Sequence, residues 1–162
     1  MTAVRHVFLL AAALALTPAF AQTKPAPSKP VDSMEMLRDK LKGDKKLVVT
    51  AAMELTEAEA KGFWPVYEDY QKELHKINDR LAMAVVAYAK EYKANTLTDE
   101  KAASLIEQSV AIEEDETKLK RSILPRLSKV LPGRKVARYI QLENKVRAIV
   151  KIELAKEVPL AQ

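Results

Sequence analysis

Few side chains in this sequence have the type and spacing to do chemistry. His75 precedes Asp79 by four residues, which places both on one face of a helix. An imidazole and a carboxylate so placed supply two ligands to a transition metal, and the rest must come from elsewhere. The only other histidine, His6, falls in a segment expected to be removed. The chain has no cysteine, which excludes a disulfide scaffold, a thiolate zinc site and a cysteine nucleophile. With 3 glycines it also lacks the material for phosphate-cradling loops. The run Glu113-Glu114-Asp115-Glu116 has charge enough for calcium, but consecutive helical positions fan out around the axis. A solvated or salt-bridged face is expected there. One histidine does not assemble a Ser-His-Asp arrangement, and the carboxylates lack a rigid pocket to tune them. The sequence therefore reads as non-enzymatic, with no catalytic residue, cofactor or dedicated metal site expected.

Two clusters suit binding better than catalysis. Phe63, Trp64, Tyr67 and Tyr70 crowd around Pro65. They either pack a core or present a partly exposed apolar platform, with Trp64 the member expected at a surface or interface. Arg126, Lys129, Arg134, Lys135 and Arg138 flank a turn at Leu131-Pro132-Gly133. Cations in the first turns of the helix that follows face the positive end of its dipole. Something negative must offset them: the Glu113–Glu116 run, a dimer partner or a bound anion.

The elements that position these groups are helices. Met34 to Leu41 reads as a short amphipathic helix capped by Asp32 or Ser33, with Met34, Leu37 and Leu41 on one face and Gly43 at its end. Leu47, Val48 and Val49 read as a packed connector or helix continuation. Thr56 followed by Glu59 predicts a capping box. Phe63, Tyr67, Tyr70, Leu74, Ile77, Leu81, Ala84 and Tyr88 then alternate spacings of four and three, a heptad seam. The spacing predicts a helix from Glu57 to Tyr92, about 54 Å long, kinked at Pro65. After a break at Asn95-Thr96-Leu97, Thr98 caps a second long helix. Its stripe is Ala102, Leu105, Ile106, Ile112, Leu119, Ile123, Leu127 and Val130, interrupted by Ser109 and Glu116. A last helix, Arg134 to Glu157, carries Val136, Tyr139, Ile140, Val146, Ile149, Val150 and Leu154, and Pro159 ends it. The expected fold is all-α: long, kinked, antiparallel helices forming a hairpin or bundle. Its core is thin for one copy, so dimerisation is expected to complete it.

Before the helices comes an address. Val7 to Leu16 is a ten-residue apolar run that leads to Ala19-Phe20-Ala21. Ten apolar residues span about 15 Å of helix, half a bilayer core. Residues 1–21 thus read as a secretory signal peptide cleaved after Ala21, residues 22–31 as a disordered proline-rich leader, and residues 32–162 as one helical domain. Periplasmic export is expected, with no stable membrane insertion. Charge along the remaining chain is segregated. Residues 22–49 carry +3, residues 50–117 carry −8 and residues 118–162 carry +9. The opposed helices either pair with one another or leave a basic surface for anionic or unfolded partners. Export makes nucleic acid an unexpected partner.

The helix starts carry a further signal. Leu55-Thr56-Glu57-Ala58-Glu59 and Leu97-Thr98-Asp99-Glu100-Lys101 are two related motifs, and Leu131-Pro132-Gly133-Arg134-Lys135 is a degenerate third. With the signal peptide and the helical pattern, they resemble the LTxxQ motif of the Spy/CpxP family of periplasmic proteins. The final Gln of the motif is Glu59 in one copy and Lys101 in the other. The resemblance implies a cradle-shaped homodimer of kinked hairpins that acts as an ATP-independent chaperone or envelope-stress modulator. Clients would meet an aromatic strip at Phe63, Trp64 and Tyr67, flanked by Arg126, Lys129, Arg134, Lys135 and Arg138. The alternatives are an adaptor for one envelope protein and a metal-resistance protein using His75.

Overall fold

A computed structural model describes Leu37 and residues 44–161. The signal peptide, the leader and most of the predicted 34–41 helix lie outside the described residues. Leu37 alone of that helix is described; it is helical and fully buried, on the face predicted to be apolar.

Four helices follow, with no strand among the described residues. They are α1 (Lys45–Met53), α2 (Glu57–Ala94), α3 (Asp99–Ser128) and α4 (Gly133–Glu157). None is long and apolar enough to cross a membrane. The segment read as a packed connector or helix continuation at Leu47-Val48-Val49 lies within the helix α1. Its cap is Asp44, whose carboxylate accepts the Lys46 amide at 2.7 Å. Val48, Val49, Ala52 and Met53 are its buried face, whereas Leu47 points outward.

α2 begins on the predicted capping box. Thr56 Oγ1 accepts the Glu59 amide at 3.3 Å, and Glu59 Oε2 accepts the Thr56 amide at 2.8 Å. The helix runs unbroken through Pro65 for 38 residues, about 57 Å. Pro65 therefore lies inside an element and starts none. Asn95 ends α2 in the left-handed region at φ 53°, a conformation asparagine tolerates. Thr98 Oγ1 caps α3 by accepting the Lys101 amide at 3.3 Å. Here the side chain three residues on is a lysine, so the reciprocal arm is absent. Its ammonium instead reaches Glu91 at the end of α2, at 2.7 Å, and staples the α2–α3 turn. Gly133 opens α4 behind Pro132, with no side-chain cap.

Polar pairs fix the register. α3 returns antiparallel to α2, with Asp69 opposite Arg126 and Arg80 opposite Asp115. α4 returns antiparallel to α3, with Lys120 opposite Asn144, Glu116 opposite Arg147 and Glu113 opposite Lys151. α1 lies across α2 and α4. Lys45 reaches both Gln71 and Glu143, at 2.9 and 2.8 Å. Of the four helices from Lys45 onward, one end of the bundle has all four and the other has three.

The seam shows the consequence. Phe63, Tyr67, Tyr70, Leu74 and Ile77 are buried, but Leu81, Ala84 and Tyr88 are only half-buried. Tyr139 of α4 fills the centre of the sealed end, with its ring 5.1 Å from Phe63, 6.2 Å from Tyr67 and 6.3 Å from Tyr70. These large rings hold α2 and α4 apart. The opposite arrangement occurs at Gly62, where a Cβ would sit 2.7 Å from Val130 Cγ1. Only a hydrogen fits between α2 and the end of α3 at that point.

Candidate functional site

The predicted binding residues divide between interior and surface. Phe63 is 0% exposed and Tyr67 is buried beside it, so the aromatic cluster packs the core. Burial, with Glu143 and other carboxylates nearby, pushes the Tyr67 phenol up to about 12. Trp64 is half-buried, edge-on to Phe63 and Tyr67 at 5.0 and 5.3 Å. Lys46 of α1 sits over its ring, 5.1 Å from the centroid. An aromatic surface strip at this end therefore reduces to one edge of Trp64.

The cations are placed just as unevenly. Lys135 binds the Glu59 carboxylate and, at 2.9 Å, the Glu54 carbonyl. Arg138 Nε donates to the Ala52 carbonyl. The offset for the start of α4 is thus the capping glutamate of α2 and the last carbonyls of α1, which carry that helix's negative dipole end. It is not the Glu113–Glu116 run, because that run lies further along α3 and faces other partners. Arg126 pairs with Asp69, while Lys129 and Arg134 are exposed beside the turn. The Lys135 hydrogen bond, followed by the Thr56 amide, holds the Glu59 carboxyl below its usual range.

The Glu113–Glu116 run is salt-bridged at every position. Glu113 meets Lys151, Glu114 meets Lys118, Asp115 meets Arg80 and Lys118, and Glu116 meets Arg147 and Lys120. Glu116 was expected to interrupt a stripe and to belong to a solvated or salt-bridged face. It is 6% exposed, and Glu143, which the sequence reading missed, is 4% exposed. The signal for Glu143 was available: with Val136, Tyr139 and Leu142 it falls on the inward side of α4.

Glu116, Glu143, Arg147, Lys45, Gln71 and Asn78 line a polar pocket of about 230 Å³ with His75 at its edge. Both carboxylates are committed to cations. Burial would raise the Glu116 carboxyl, but the hydrogen bond and charge of Arg147, with Lys120, outweigh it and hold it low. A general acid needs the reverse shift. The polar pairs of the pocket tie α1, α2, α3 and α4 together. His75 Nε2 lies 3.6 Å from Asp79 Oδ2 on the exposed face, and no three His, Cys, Asp or Glu side chains converge among the described residues.

The three-helix end offers a different surface. Met83 and Val86 of α2 are 63% and 67% exposed, and Ile106 and Val110 of α3 are 67% and 52% exposed. Two grooves open at this end, one lined in part by Ile106 and the other by Val86. One, of about 280 Å³, lies between α2, α3 and the segment after α4. The other, of about 460 Å³, lies between α2 and α4, where Val85, Val86, Val150 and Leu154 meet. It continues the α2–α4 cleft that α1 fills at the opposite end. Heptad spacing could not reveal this surface, because Met83 and Val86 lie off the seam. Compared with known protein families, curated proteins and solved structures, the chain matches none.

Proposed function

We propose that the protein is an exported, non-catalytic helical binding protein that holds partly folded proteins without ATP, in the manner of the Spy/CpxP family it resembles. Residues 1–21 supply the export address, and the periplasm is the place of action. The observation that carries this reading is the outward display of Met83, Val86, Ile106 and Val110 at the end of the bundle where three of the described helices meet. Large apolar side chains grouped on a monomer's surface mark sites of protein contact. The exposed Lys90 and Lys93 border the surface on α2 and speed encounter with acidic clients. Apolar contact of modest area then holds them loosely. The same end is where a second copy pairs in the absence of client, so a homodimer is the resting form.

The test is a client that aggregates on dilution from denaturant. Residues 22–162 suppress its light scattering at near-stoichiometric ratio without nucleotide. An unaltered aggregation curve at severalfold excess overturns the reading. Crosslinking in the envelope separates this from the adaptor reading, since one dominant partner in place of many reassigns the protein as an adaptor.

A further inference from the structure

We propose that Val158–Ala161 is a displaceable strap along one side of the α2–α3 groove where an extended apolar client segment binds. This inference rests on the chaperone reading and assigns both the site and its regulation. α4 stops at Glu157 because Val158 turns extended, at φ −95° and ψ 110°, and Pro159 has no amide hydrogen to continue the helix. The chain then crosses to α2. Tyr88 Oη donates a hydrogen bond to the Pro159 carbonyl at 2.8 Å, across 71 residues of sequence. The segment forms one wall of the groove, and Leu81, Val85 and Tyr88 of α2 and Leu105 and Ile106 of α3 form the others.

The strap itself indicates the chemistry that the groove accepts. Val-Pro-Leu-Ala is uncharged and apolar, Val158 is extended, and Pro159 presents a backbone carbonyl to a tyrosine hydroxyl. A stretch of an unfolded protein rich in aliphatic side chains offers the same features. The strap is lightly held. Val158 is half-buried, but Leu160 is 89% exposed, so the chain beyond Pro159 adds little burial. One exposed hydrogen bond and one side chain are a weak tether, of the kind that opens locally without unfolding the rest. A client segment that fills the groove gains what the strap leaves unused.

The probe is reduced, carboxymethylated α-lactalbumin, which stays unfolded in native buffer. In the full chain, residues 158–161 are replaced by Gly-Ser-Gly-Ser, and circular dichroism checks that helix content is kept. The replacement lowers the Kd for the probe about 2- to 10-fold, the weight of one hydrogen bond removed from competition. Tyr88→Phe in that background raises it again. Leu160→Cys introduces the sole thiol of the chain, and a polarity-sensitive dye there shifts its emission as the probe saturates. An unchanged Kd with a static dye overturns the strap while leaving the chaperone reading intact. Absence of probe binding by either chain overturns both. Conversion of a dimer to a monomer on replacement gives the segment to a second copy and also overturns the strap.

Discussion

Glu116 of α3 and Arg147 of α4 form an ion pair inside the bundle, at the step where the apolar stripe of α3 breaks. Lys120 approaches the same carboxylate at 3.3 Å, and Asn78 of α2 accepts from Arg147 at 3.1 Å. Three helices are thereby tied at one level. Removing one partner strands the other in low dielectric, which costs about 3–5 kcal/mol for a fully buried pair. Glu116→Leu is therefore expected to lower stability by about 3 kcal/mol in urea denaturation. Replacing both, Glu116→Leu with Arg147→Met, recovers most of that loss. Additive losses in the double variant would falsify the coupling.

Acid sensitivity follows from the same carboxylate. Its pKa is depressed from the ordinary 4.5, so its contribution is complete above that value and is lost as pH falls through the lower folded one. Glu59 and Asp115 are lowered in the same sense, first by hydrogen bonds from Lys135 and Arg80 respectively. The thermal midpoint is expected to stay level from about pH 7 to 5 and to drop below about 4.5. Glu116→Gln flattens that drop. Equal acid slopes for the variant and the parent would remove Glu116 from the account.

Gly62 tests packing against helix propensity. Alanine is the better helix former by about 1 kcal/mol. Its Cβ, however, would stand 2.7 Å from Val130 Cγ1, and overpacking of this kind costs about 1–3 kcal/mol. Gly62→Ala is expected to destabilise, and Val130→Ala in the same chain to restore stability. A stabilised single variant would show that α2 and the end of α3 can part without cost.

The two caps are unequal. Thr56→Ala and Thr98→Ala each remove one hydroxyl arm and cost about 0.5–2 kcal/mol, whereas Thr56→Ala combined with Glu59→Ala removes both arms of the first box and costs more. Lys101→Gln adds no stability, because it completes the Thr98 box but loses the Glu91 staple. Equal losses for Thr56→Ala and for Thr56→Ala with Glu59→Ala, read by thermal unfolding, count against the reciprocal bond at Glu59.

Surface chemistry separates client binding from folding. Met83→Glu and Val86→Glu lie on an exposed face, so each changes stability by less than about 0.5 kcal/mol. Together they are expected to weaken suppression of client aggregation severalfold. Trp64→Ala at the sealed end is expected to lower stability instead, because it removes two ring contacts. Full protection by the Met83/Val86 double variant would move the client site elsewhere on the molecule.

Local interactions made much of this protein legible from sequence. Thr56 with Glu59, Thr98, and the breaks at Asn95 and Leu131-Pro132-Gly133 act within one helical turn, so their residues suffice to place the ends of α2, α3 and α4. The four-three spacing likewise placed Phe63, Tyr67, Tyr70, Leu74 and Ile77 inward, since one helix face is a property of a single chain segment. What depends on a neighbour was not written there. The sequence made Glu116 an interruption, and only Arg147 arriving from α4 made it a buried anchor. It left the cations of Lys135 and Arg138 in search of a counter-charge, and only the seating of α1 supplied carbonyls to meet them. The seam itself carries no mark where burial stops at Leu81, because what packs over it comes from other helices and not from any residue of α2. Periodicity fixes which way a side chain points along its own helix; whether anything stands opposite is decided by the packing of the others.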